Sequence, residues 1–125
     1  MMADLLFWLY LVNSVLLINH EIDSAYWKEW ELFKLPGGLT GFLLLHFPLL
    51  LLILWGLILV SRQTFWGLIF SLVLCFGGIF AFTVHTYFLR KGHDEFNKPI
   101  SKFILTAILL VSAAQLVTTF YVMMH

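Results

Sequence analysis

The sequence predicts an all-α fold, an integral membrane four-helix bundle with a short interfacial helix between the first two spans. Three observations carry that prediction. Of the 125 residues 62% are hydrophobic and 11% charged, whereas a soluble domain carries about 25% charged residues. Four runs, at 5–18, 39–60, 65–89 and 103–124, are almost free of charge. The last three reach or exceed the roughly 20 residues that a spanning helix needs.

The first run is long enough only if it continues through Asn19, His20 and Glu21 to Ile22. The N-terminus lacks a Lys/Arg-rich segment, and no small-residue cleavage site follows, so the run reads as a retained helix rather than a secretory signal. The stretch 23–34 is rich in aromatic and charged residues, as befits a membrane–water boundary. It is expected to form a surface helix near 25–34, or an extra turn or two of the first span, with Tyr26, Trp27, Trp30 and Phe33 facing headgroups or the bundle. Pro36, Gly37 and Gly38 turn the chain into the second span. Residues 61–64 make a tight connection to the third, and 90–98 lead to the fourth, where Pro99 suits the first helical turn. The spans are placed at 4–22, 39–60, 65–89 and 99–123, in a single domain over residues 1–125. Short connections make sequential helices antiparallel neighbours.

Within the third span Gly67, Ser71, Cys75 and Gly78 form a stripe of small residues, a pattern that lets helices approach closely in lipid. Seven residues on, the stripe reaches His85, which should therefore face the bundle. Ser112, Gln115 and Thr119 form a comparable stripe in the fourth span, read as interhelical hydrogen bonding. Cys75 is the only cysteine, which excludes an intrachain disulfide and a zinc ribbon. Zero formal net charge gives no case for nucleic-acid binding.

Counting Lys and Arg sets the orientation. Lys28, Lys34, Arg90, Lys91, Lys98 and Lys102 lie on one side and only Arg62 on the other. That bias makes the loops beside the histidines cytoplasmic and both termini external.

His20, Glu21, His46 and His85 all arrive near that cytoplasmic face. Ionisable groups at membrane depth are costly and usually functional. On the first span Asn13, His20 and Ser24 share one helical face, and Glu31 rejoins it if the helix continues. His46 lies roughly 10 Å into the second span at 1.5 Å per residue, too deep to snorkel easily. Pro48, two residues later, frees the Leu44 carbonyl and should kink the helix. Taken singly, each histidine could be structural. Together, imidazoles from three helices with carboxylates beside them form a ligand set suited to zinc or non-haem iron. His20, His46 and His85 are the expected metal ligands, with His93 and Asp23 as secondary candidates. Glu21 and Glu29 are the expected catalytic carboxylates: Glu21 as ligand or general base, and Glu29 or Asp23 orienting a histidine. Asp94 and Glu95 read as a solvated turn.

These residues also carry a resemblance. Asn19 to Ser24, the pair Glu29 and Trp30, Leu45 to Leu49, His85, and His93 to Phe96 resemble a family of small bacterial membrane proteins known as a domain of unknown function. Its pattern is a His-Glu-x-Asp box, a Glu-Trp pair, a His-x-Pro and two later histidines. It falls here on His20, Glu21, Asp23, Glu29, Trp30, His46, Pro48, His85 and His93, while Ser24 and Glu31 depart from it. The resemblance implies a four-helix membrane fold in the inner (plasma) membrane of a bacterium and supplies no activity, substrate or cofactor.

Three functions compete. The first is a metal-dependent membrane enzyme acting on a lipid-like substrate, with a metal near headgroup level activating water or dioxygen. The second is a non-enzymatic structural or partner-binding subunit, working as a homo-oligomer or beside another membrane protein, or a minor proton or ion path. The third is a small electron-transfer protein with haem held by two imidazoles.

Overall fold

The computed structural model describes residues 1–94 and 97–125. Their helices are α1 (Met2–Tyr26), α2 (Glu29–Leu32), α3 (Gly38–Ser61), α4 (Phe65–Arg90) and α5 (Pro99–Met124), with no strand among the described residues. All but α2 are long and apolar enough to cross a membrane. Backbone polar groups in hydrocarbon must be satisfied internally, which a helix does within its own segment.

Local chemistry fixes the ends. Gly37 takes φ +96° in the turn before α3, a region that favours glycine. Thr64 caps α4: its Oγ1 accepts from the Gly67 N–H at 3.0 Å and donates to the Leu59 carbonyl at 3.1 Å. Pro99 opens α5 in the first turn, where its missing N–H costs nothing.

The long helices pack in a ring, α1 against α3, α3 against α4, α4 against α5 and α5 against α1. Buried positions on α1 run Leu6, Tyr10, Asn13, Leu17, His20 and Ser24, a stripe at helical spacing. The opposite surface of the bundle is apolar too. Leu44, Phe47, Leu51 and Trp55 of α3 and Phe103, Leu110 and Val117 of α5 are all exposed. A continuous apolar exterior of this kind suits hydrocarbon and is rare on a soluble monomer.

Two glycines set the helix spacing. A Cβ on Gly56 would stand 2.0 Å from the Tyr10 hydroxyl, which donates to the Ile53 carbonyl at 2.8 Å. A Cβ on Gly78 would stand 2.2 Å from Ser112 Oγ. The small stripe of α4 therefore does bring α5 close, and Gly67, Ser71, Cys75, Gly78 and His85 are all buried.

That close approach carries a polar network across the bundle. Asn13 Nδ2 donates to Ser112 Oγ at 3.1 Å and to Gln115 Oε1 at 2.9 Å. Gln115 Nε2 donates to Ser71 Oγ at 2.9 Å. Thr119 Oγ1 gives its proton to the Gln115 carbonyl at 2.7 Å. Ser71 must therefore be the donor in its 2.8 Å bond to Thr119.

The region between α1 and α3 combines both expected forms: α1 gains an extra turn, to Tyr26, and a short helix follows within 25–34, as the single turn Glu29–Leu32. Lys28 and Lys34, at φ +54° and +55°, bracket that turn with left-handed backbone. The break at Lys28 folds the chain back over the bundle end. Trp30 then meets Phe42, and Phe33 meets Phe88, with ring centroids 5.4 and 5.5 Å apart. Tyr26 stays exposed.

Candidate metal centre

The stripe of α1 ends in His20 and that of α4 in His85, on helices that finish at the same end of the bundle. Their rings meet edge to face with centroids 4.6 Å apart. The folded-back α2 delivers Glu29, whose Oε2 lies 3.1 Å from His85 Nε2. One ligand atom each from His20, Glu29 and His85 all fall within 4.8 Å of one another.

The protons follow from partner chemistry. His85 Nδ1 faces the Ala81 carbonyl at 2.8 Å, and a carbonyl only accepts. The Nδ1 proton is thereby fixed, and Nε2 points at the Glu29 carboxylate. A cation between Nε2 and that carboxylate would take the place of a shared proton. Burial alone would raise the Glu29 carboxyl, but hydrogen bonds from His85 and Ser24 and the neighbouring imidazoles outweigh it and hold the group below its ordinary value.

His46 does not join this group, a correction to the expected convergence of three imidazoles. Its Nδ1 donates to the Phe42 carbonyl at 2.6 Å, and its Nε2 lies 2.5 Å from Glu21 Oε2. Both ring nitrogens are engaged, and the ring lies against Phe42, tilted by 31°, with centroids 3.9 Å apart. Nor is its carbonyl partner the Leu44 group freed by Pro48. The bond goes one turn back to Phe42, while α3 runs unbroken from Gly38 to Ser61. Glu21 and His46 therefore form a second histidine–carboxylate pair, with one proton to share between Nε2 and Oε2.

The remaining sequence-selected residues fall outside the cluster. Asp23 accepts from Trp27 Nε1 at 3.0 Å, so it orients an indole and not a histidine. His93 is exposed, with its ring 5.2 Å from Phe88, and is not in the group of three. Glu31 is exposed because the helix breaks at Lys28 before it can rejoin the inward face, and Glu29 takes that place. Asp94 is exposed, and Glu95 and Phe96 lie outside the described residues.

The cluster closes one end of a cavity of about 450 Å³ between α1, α3 and α4. Its walls include His20, Glu21, Glu29 and His85 at that end and are otherwise almost wholly apolar, down to Trp66 near the start of α4. Nothing in the residue pattern foretold this cavity. Its only sequence trace is Gly77, beside the small-residue stripe and facing open space: a Cβ there would meet nothing within 4 Å.

Two imidazoles and one carboxylate, with room alongside, make a donor set that fits zinc with an open coordination position, or non-haem iron. No curated protein and no solved structure matches the chain. Residues 6–122 match a family of unknown function (DUF6713), and the chain belongs to that family.

Proposed function

We propose that this protein is a membrane enzyme that holds a divalent metal on His20, Glu29 and His85 and acts on a lipid-like substrate. The observation that carries this reading is the convergence of those three ligand atoms within 4.8 Å at the polar end of an otherwise apolar cavity. A buried polar cluster that served only to join helices would have no need of a cavity beside it. A metal there would polarise a substrate oxygen or activate a water.

The chain's own residues supply the rest. Ala81, through its carbonyl, fixes the His85 tautomer so that Nε2 faces inward. Glu21 and His46 share a proton at the edge of the same site, and Glu21 lines the cavity. That pair is placed to give or take a proton, with Glu21 as the group that reaches the substrate. Phe33 packs on His85, centroids 5.9 Å apart, and shields the site from water. The Lys/Arg bias supports a cytoplasmic position for this end of the bundle and external termini. A reporter fused after His125 should then be active only outside.

Metal analysis of the purified protein tests the proposal. It predicts close to one zinc or iron per chain, and a fall in melting temperature when a chelator removes it. Metal-free protein that neither takes up zinc or iron nor changes stability with chelator would favour a structural subunit joined by histidine–carboxylate pairs.

A further inference from the structure

We infer that the cavity is a binding groove for one hydrocarbon chain of a single-chain lipid, entered sideways from the bilayer between α3 and α4, with an anionic oxygen headgroup at the His20–Glu29–His85 end. The inference rests on the proposed metal site for the headgroup alone; the groove's affinity for a chain does not need the metal.

Burial along the groove shows an open side. Tyr10, Leu17, Ile53 and Leu74 are buried and form its floor, while Leu52, Trp66, Val73 and Phe80 line it and are at least half exposed. That open side belongs to the apolar exterior of α3 and α4, so the phase it meets in a membrane is hydrocarbon. The floor offers no free donor, because the Tyr10 hydroxyl gives its proton to the Ile53 carbonyl.

Dimensions select the occupant. From Trp66 to His85 the groove follows α4 for about 28 Å at 1.5 Å per residue, close to the full hydrocarbon thickness of about 30 Å. A volume of about 450 Å³ drawn out over that length makes a narrow slot, which suits one slender chain. A helix from a second copy or a partner is about 10–12 Å wide and cannot enter.

Chemistry selects the headgroup. Every carboxylate and imidazole on the groove wall sits at one end. A divalent ion on two neutral imidazoles and one carboxylate keeps net positive charge, which favours a carboxylate or phosphate oxygen over a neutral or cationic head.

The test uses the full chain in phosphatidylcholine nanodiscs and palmitate bearing a photoreactive diazirine at mid-chain. Crosslinks should concentrate in residues 49–53 and 77–84, at least several-fold above the outward residues Phe103, Leu110 and Val117 of α5. Excess palmitate or lysophosphatidic acid should compete, and whichever competes better identifies the headgroup as carboxylate or phosphate. Gly77→Phe fills the groove from a position where a side chain meets nothing, and should cut groove labelling about tenfold, while Gly77→Ala keeps it. Labelling of α5 equal to that of the groove overturns the inference, as does failure of both competitors. Unchanged labelling in Gly77→Phe overturns it too, as does a Gly77→Phe protein that changes its number of copies per disc in place of its labelling. Zinc content measured on the same samples separates the two proposals. Normal zinc with unfocused labelling sinks the groove alone, and focused labelling without zinc sinks the metal site alone.

Discussion

Two buried polar regions share this bundle, and they are built from different chemistry. Near its middle, Asn13, Ser71, Ser112, Gln115 and Thr119 join α1, α4 and α5 through neutral amides and hydroxyls. Among the described residues only Asn13 Oδ1 in this network lacks a hydrogen bond, and none of the five lines the large cavity. At the α2 end, His20, Glu29 and His85, with Glu21 and His46, are ionisable and border a cavity. The first arrangement has what a helix joint in lipid requires and nothing more. The second keeps titratable groups next to empty space, which a joint does not require. Burial of polar groups is common to both, so it cannot by itself mark function. Charge chemistry and access to a cavity make the difference.

The comparison can be tested by breaking each region separately. The largest effect on stability is expected at the seam that holds the neutral network. In Gly78→Leu the new side chain collides with Ser112 and Ile108, and overpacking of this kind should cost about 3 kcal/mol or more. Unfolding in mixed detergent–dodecyl sulfate micelles would measure it. Next is Gln115→Leu, which takes one of the two acceptors from the Asn13 amide and removes the bonds to Ser71. A loss of about 1–2 kcal/mol is expected in the same assay, with metal content unaltered. A loss of metal in this variant would mean that the two regions are not independent.

Smaller still is His46→Ala. It removes the partner of Glu21, but Glu21 is partly exposed and can hold the proton itself. The expected loss is about 1 kcal/mol, less than for Gly78→Leu, with metal retained and turnover of any substrate abolished. Glu21→Gln should be the mildest for folding, since an amide still hydrogen-bonds His46, and should again stop turnover without releasing metal. A variant at either position that keeps full turnover would remove the proton-transfer role.

The four spans were legible because charge-free runs of that length have few alternatives, and each predicted end lies within four residues of the observed one. The inward faces of α1 and α4 were legible from spacing: small or polar residues at helical intervals marked the buried stripe through to His20 and His85. What the sequence could not reveal depends on backbone at single positions. The left-handed Lys28 ends α1 and reverses the chain, and lysine has no strong preference for that conformation. That turn brings Glu29 to His85 and leaves Glu31 outside. His46 illustrates a second limit. Its depth predicted an inward ring, but depth says nothing of rotation about the helix, and the ring met Glu21 rather than the other two imidazoles. The cavity is a third, since an absence of side chains between α3 and α4 has no residue to announce it beyond Gly77.

The most direct test of the central claim is a zinc titration of the metal-stripped protein by calorimetry, run on the wild type, His85→Ala and His46→Ala together. The account predicts one site per chain in the wild type, loss of that site in His85→Ala, and less than about a tenfold change in affinity, or 1.4 kcal/mol, in His46→Ala. Equal binding by the wild type and His85→Ala, or loss of the site in His46→Ala alone, would contradict it.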